Sequence, residues 1–128
     1  MGISLLDAYT VAGNKRFIGN VTIQSNIGQV APDKNFLVGF ENHSGLTYLQ
    51  GETKPIGTVI VGNGNNGMDK TEGARYKNVF GTYMHGSFLP KNPMFADYLL
   101  ELALGERLEP LDDTIENNAH DALINKAY

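Results

Sequence analysis

The sequence predicts a mixed α/β chain: a β-rich stretch over residues 3–86, then a helical stretch over 92–127. Three observations predict it. Most of the 15 glycines fall before position 87, as in a chain of short strands and tight turns. Short β-branched and aromatic runs recur over the same stretch. Helix signals collect only after position 90. Apolar residues make up 41% of the 128, enough to build a core.

The strands are expected in order. Ser4 to Tyr9 is a short apolar run. Phe17 to Gln24 places Phe17, Val21 and Ile23 around Thr22. Phe36 to Asn42 and Leu46 to Leu49 flank His43-Ser44-Gly45, a small polar tip that predicts a hairpin. Gly57 to Val61 is dense in β-branched residues and reads as a strand buried on both faces. Val79 to His85 is the last strand. Ile27 to Asn35 and Gly62 to Gly73 read as loops. The second is about twelve residues long, near the upper limit for a plain connection.

Two helices follow. Asn92 is the expected N-cap, Pro93 suits the first helical position, and Gly105 suits the end. Between them Phe95, Leu99, Leu102 and Ala103 recur at helical spacing. A second helix starts near Asp113 or Thr114, with Ile115, Ala119, Ala122 and Leu123 expected on one apolar face.

Charge and composition exclude several functions. The net charge is −4, with 19% charged residues, which disfavours a phosphate-backbone partner and hence nucleic acid. No apolar run approaches the ~20 residues needed to span a bilayer. Met1-Gly2-Ile3-Ser4 lacks the start of a signal peptide, so a cytoplasmic location is expected. The chain has no cysteine, which removes disulfides, thiolate metal sites and a cysteine nucleophile from these 128 residues.

Histidines occur only at positions 43, 85 and 120. They form no local metal-ligand motif. His43 reads as a polar turn residue, and His120 as a surface residue of the last helix. Asn66, Asp69 and Glu72 do not match a calcium loop and read as solvated loop residues. Gly62-Asn63-Gly64-Asn65-Asn66-Gly67 has the Gly-x-Gly-x-x-Gly spacing, but no helix pattern follows, so turns are expected rather than a phosphate cradle. His85 differs. It ends a strand and precedes Gly86 and a loop into a helix. A histidine at a strand end can take a proton from a nucleophile on a neighbouring strand end.

Gly81-Thr82-Tyr83-Met84-His85-Gly86 followed by Leu89-Pro90-Lys91-Asn92-Pro93 resembles the histidine motif of the CobB/CobQ-type class I glutamine amidotransferases. Supporting segments are Leu6 to Thr10, Arg16 to Asn20, Val38 to His43, Gly62 to Asn66 and Tyr76 to Asn78. The Gly-Phe-Glu-Asn-His and Gly-Asn-Gly-Asn-Asn segments favour the branch that supplies ammonia for amidating lipid II in cell-wall synthesis. The alternatives are the glutaminase domain of a cobyric or cobyrinic acid amidating synthase, and a non-catalytic binding or assembly module derived from the fold.

The resemblance implies a flavodoxin-like three-layer domain, of which residues 1–128 represent the C-terminal half. Its strands would be mostly antiparallel or mixed and followed by two helices. It implies glutamine as substrate, a MurT-like Mur ligase subunit as partner, and no cofactor or metal. It assigns His85 as the base that takes the proton of a cysteine thiol and then serves the leaving amine. It assigns Arg16 as the group that grips the substrate α-carboxylate, a task suited to a guanidinium. The family's cysteine elbow lies upstream of the first matched segment. The chain is therefore expected to be a fragment that is inactive alone. Ser87 stands two residues beyond His85, where an acidic residue would orient the imidazole, so a partner subunit is the expected source of that group. Half a domain would expose apolar surface, which predicts self-association as a homodimer.

Overall fold

The computed structural model describes residues 5–25, 27, 35–106 and 112–127. Among them, six strands and three helices follow in order. They are β1 (Ala8–Ser25), β2 (Phe36–Leu49), β3 (Gly57–Val61), β4 (Thr71–Glu72), β5 (Ala74–Tyr76), β6 (Val79–Gly81), α1 (Phe88–Lys91), α2 (Pro93–Leu104) and α3 (Thr114–Ala127). One sheet has the order β2-β1-β3-β4, and β5 and β6 form a separate hairpin. Every strand pairing is antiparallel. The mixed α/β expectation holds. The first helical turn, α1, begins before the expected helical stretch.

β1 and β2 are longer than the sequence suggests. They pair from Ala8↔Leu49 to Gln24↔Phe36, with a register shift between Ala12 and Phe17. The first strand thus starts at Ala8; Leu5, Leu6 and Asp7 precede it, and Ser4 lies outside the described residues. The expected hairpin at His43-Ser44-Gly45 is absent, because β2 runs straight through it and His43 pairs with Phe17. Gly45 serves close packing instead. A Cβ there would lie 2.8 Å from Thr10 Cγ2 and 3.1 Å from the Tyr83 hydroxyl.

Side chains alternate across the sheet. Past the register shift, Ile18 and Asn20 share one face with Phe40 and Asn42. Phe17, Gly19, Val21 and Ile23 share the other with Leu37, Gly39, Glu41 and His43. The core lies on the second face. Val21, Ile23, Leu37, Ile56, Met84 and Phe95 are buried, with Val59, Phe80, Phe88, Tyr98 and Leu99 packed against them. The first face is partly open: Ile18 is 60% exposed and Ile60 41%. β3 is therefore not buried on both faces, since Thr58 and Ile60 face outward.

The expected strand Val79 to His85 ends at Gly81. Beyond it, the Glu72 carboxylate holds the chain in place of a ladder, accepting from Tyr83 N–H and from the Thr82 hydroxyl, both at 2.8 Å. Only His85 returns to strand pairing, as an isolated bridge to Phe40. The loop from Ile27 to Asn35 falls outside the described residues except at its two ends. Asn35 closes it: its C=O accepts from Ser25 N–H at 2.8 Å, and its side-chain amide donates to Ile27 O at 2.5 Å.

α2 matches its expected bounds, with Gly105 at φ 73° closing it in the left-handed region. Asn92 precedes it, but its side chain makes no cap bond. α3 also forms as expected, with a different buried face. Ile115 is 80% exposed, and Ala119 and Ala122 are exposed too. His120 is buried instead, and its Nδ1–H donates to Lys91 O at 2.9 Å. That bond gives a carbonyl at the end of α1 a donor.

Candidate functional site

β2 is an edge strand of its sheet, and its free edge presents His85. His85 N–H donates to Phe40 O at 2.9 Å, and Phe40 N–H donates to His85 O at 3.1 Å. The imidazole sits edge-on to the Phe40 ring, with centroids 5.7 Å apart and planes at 74°. It is exposed to solvent. Immediately afterwards Gly86 and Ser87 take left-handed conformations, φ 77° and 63°. They turn the chain away from β2 into α1. A non-glycine residue at positive φ costs on the order of 1–3 kcal/mol, so the surroundings must enforce the turn at Ser87.

Asn92 supplies that enforcement. It is 1% exposed. Its Oδ1 accepts from Val38 N–H at 2.7 Å, and its Nδ2 donates to Val38 O at 2.6 Å and to Phe88 O at 2.8 Å. The side-chain amide thus imitates a neighbouring strand at Val38, two residues from Phe40. The segment from His85 to Asn92 is fastened to the β2 edge at both ends.

Arg16 reaches the same face. Its Nη1 donates to Asn42 Oδ1 at 2.9 Å, and Asn42 lies two residues along β2 from Phe40. Arg16 is exposed. The two residues singled out for chemistry, His85 and Arg16, therefore stand on one side of β2. Phe40, Asn42 and Ile18 lie between and beside them. A cation that reaches solvent and an exposed imidazole on one face can hold an anionic group and move a proton beside it.

Behind this face lies a buried polar cluster that the sequence reading missed. Glu41 is 1% exposed. Its Oε1 accepts from Asn63 N–H and Asn63 Nδ2, both at 2.9 Å, and its Oε2 accepts from Gly64 N–H at 3.0 Å. Successive backbone N–H groups bind the carboxylate as a nest binds an anion. The glycine loop thus has an anion in it, and the anion is the chain's own Glu41.

His43 Nε2 stands 3.3 Å from Glu41 Oε2, and Nδ1 stands 3.0 Å from Gly45 O. The ring stacks on Tyr83 with centroids 3.7 Å apart and planes at 2°. His43 is 7% exposed, so it is a buried core group and not a turn residue.

Glu72 and Asn66 are also buried, at 0% and 2%, rather than solvated. Burial pushes the Glu72 carboxyl above the usual carboxylate range. The Tyr83 and Thr82 donors oppose that shift, while nearby Glu41 adds to it. Asp69 is exposed, as expected. Its side chain accepts from the Thr71 backbone and hydroxyl and from Asn66. Among the described residues, no group of three or more acidic, histidine or cysteine side chains is placed to hold a metal. No helix among them is long and apolar enough to cross a membrane.

The missed residues carried a faint signal. Gly39, Glu41 and His43 alternate, as residues on one face of a strand must. Reading a turn at Ser44-Gly45 hid that period.

The chain matches the model of the CobB/CobQ-like glutamine amidotransferase domain over residues 1–93. It is 43% identical over 131 residues to the lipid II isoglutaminyl synthase (glutamine-hydrolyzing) subunit GatD of Staphylococcus aureus strain N315, covering 98% of this chain and 51% of that protein. Against the subunit GatD of Streptococcus pneumoniae strain R6, identity is 41% over 107 residues, covering 83% of this chain and 39% of the relative. A probable cobyric acid synthase of Methanococcus maripaludis strain C7 is 33% identical over 130 residues, covering 98% of this chain and 24% of that protein. The chain thus spans about half the length of the first of these relatives, and less of the others. The matched stretch contains β1 through α1, and with them Arg16, the Glu41 cluster, His85 and Asn92. The chain belongs to the CobB/CobQ-like glutamine amidotransferase family.

Proposed function

We propose that the chain is the histidine-bearing part of a glutaminase subunit that supplies ammonia for amidation of lipid II D-glutamate. One observation carries the reading: His85, exposed and bonded through its backbone to Phe40, shares a face of β2 with Arg16. In this reading a cysteine from outside these 128 residues attacks the side-chain amide of glutamine. His85 takes the thiol proton and passes it to the departing nitrogen. A γ-glutamyl thioester forms, ammonia leaves, and water then cleaves the thioester to glutamate and free thiol. Arg16 grips the substrate α-carboxylate, with Asn42 setting the direction of its guanidinium. A Mur-ligase-like subunit is the partner that uses the ammonia, in the cytoplasm. The relatives named as GatD subunits support this acceptor over a corrinoid one, since their identity is higher than that of the cobyric acid synthase.

The test is ammonia release from glutamine. It is measured for the chain alone and for the chain assembled with a cysteine-bearing amidotransferase segment. The chain alone is expected to give no turnover. The assembly is expected to turn over glutamine and to lose that activity on His85→Ala. Arg16→Ala is expected to raise KM more than it lowers kcat. Turnover by the chain alone that disappears in His85→Ala, or an assembly indifferent to His85→Ala, would overturn the reading.

A further inference from the structure

His85 is presented by a short segment, Thr82 to Met84, that belongs to no strand. Three contacts hold it. Glu72 fixes the Tyr83 amide and the Thr82 hydroxyl, and Thr82 Oγ1 in turn accepts from Met84 N–H at 2.9 Å. Met84 is 3% exposed and lies against Gly39, where a Cβ would come within 2.8 Å of Met84 Cβ. The Tyr83 ring lies flat on the His43 ring at 3.7 Å. The third contact differs from the others, because His43 is itself held from two sides.

The Gly62-Asn63-Gly64 turn donates three N–H groups to Glu41, and Glu41 fixes Nε2 of His43. The Gly45 carbonyl fixes Nδ1. Both ring nitrogens are thus anchored within β2. The Phe17 ring closes the remaining side, edge-on at 5.5 Å. The plane of His43 is thereby set before Tyr83 meets it. The hydroxyl of Tyr83 shares a hydrogen bond with Thr47 at 2.7 Å, which fixes the far end of the stacked ring.

We propose that His43, held by Glu41 and stacked on Tyr83, is a positioning residue for His85. It touches no substrate. It sets Tyr83, two residues before His85, and so sets where the His85 imidazole stands at the β2 edge. The proposal goes beyond the glutaminase reading, which uses His85 without saying what holds it. Its relevance to turnover rests on that reading; its structural content does not. Reacting groups misplaced by about 1 Å can lose about a hundredfold in rate, so a device of this kind has a measurable consequence.

The test reads His85 in the 128-residue chain. The imidazole lies edge-on to Phe40, so its carbon-bound protons are displaced by the Phe40 ring current and show Overhauser contacts to that ring. Tyr83→Leu removes the stack and the Thr47 hydrogen bond at a half-buried residue and leaves Glu41 and its donors untouched. It is expected to move the His85 proton signals toward those of a free histidine and to weaken the Phe40 contacts. His43→Ala is expected to do the same. His43→Phe keeps a flat ring at the stack but loses both polar anchors, and is expected to restore the two signatures only in part. Tyr83→Leu folding with unchanged His85 signals would overturn the proposal, whether or not His43→Ala folds.

In the cysteine-bearing assembly, Tyr83→Leu is expected to lower kcat by about tenfold or more, with KM changed by less than about threefold. An assembly that loses turnover in His85→Ala but keeps full kcat in Tyr83→Leu would overturn the positioning role alone. An assembly indifferent to His85→Ala would overturn the glutaminase reading, leaving the spectroscopic result to decide the positioning.

Discussion

Replacing Asn92 by alanine tests the clamp that ties the His85 segment to the sheet. The side chain satisfies the N–H and C=O of Val38, at 2.7 and 2.6 Å, and the C=O of Phe88 at 2.8 Å. Asn92 and Val38 are each 1% exposed, so water has no ready access to the Val38 peptide. Each buried group left without a partner costs about 1–3 kcal/mol, so the two groups on Val38 together cost about 2–6 kcal/mol. A domain of this size is stable by about 5–15 kcal/mol, so Asn92→Ala should remove a large share of the total. Asn92→Asp should be at least as damaging. One carboxylate oxygen can still accept from Val38 N–H, but the other then faces the carbonyls of Val38 and Phe88 with no hydrogen to offer. The assay is urea unfolding followed by circular dichroism, comparing midpoints at equal slopes. Asn92→Ala within about 0.5 kcal/mol of the parent would contradict the clamp, because exposed polar residues behave that way. Asn92→Asp clearly more stable than Asn92→Ala would refute the assignment of the amide as a two-way partner of Val38.

Glu72→Gln should alter how stability depends on pH. Burial raises the folded-state value of Glu72 above its usual 4.5, so its contribution is full below that value and is lost as pH rises through the raised one. The variant's stability relative to the parent should therefore improve between pH about 4.5 and 7; a difference that stays constant or moves the other way would contradict the assignment. Gly39→Val should destabilise by about 1–3 kcal/mol in urea unfolding, since its Cβ would crowd Met84 Cβ and the added methyls would overpack the site. The isolated chain should sediment as a dimer at micromolar concentration, because Ile18 and Ile60 on the sheet and Leu100 and Leu104 on α2 remain exposed. A compact monomer would oppose that expectation.

Local chemistry made much of the fold readable. Pro93 and Gly105 bound α2 because one lacks an N–H and the other tolerates a left-handed end, and both properties act on neighbouring residues alone. The β-branched run at Val59 to Val61 likewise suits an extended backbone, and it forms β3. The errors arose where distant partners decided. Ser44-Gly45 looks like a turn, yet Thr10 and Tyr83 pack against Gly45 and keep β2 extended. Asn92 looks like a cap, yet Val38, fifty-four residues away, takes its amide. His120 looks exposed on a helix of low hydrophobicity, yet the Lys91 carbonyl draws it inward.

The site divides in the same way. His85 and Arg16 came from a resemblance of motifs, and the structure sets both on one side of β2. Glu41 and Glu72 were missed because their donors lie on other elements or loops, and His43 because the Phe17 and Tyr83 rings that bury it lie outside β2. Buried carboxylates have no local sequence signature: the loop that binds Glu41 begins twenty-one residues later, at Gly62, and the amide that Glu72 holds is eleven residues on.

The proposed chemistry turns on His85. Its most direct test is the rate of ammonia release from glutamine by the chain assembled with a cysteine-bearing amidotransferase segment, compared with His85→Ala in the same assembly. Turnover should fall to the level of a buffer control in the variant while assembly and folding are retained. Equal turnover in the two assemblies would contradict it.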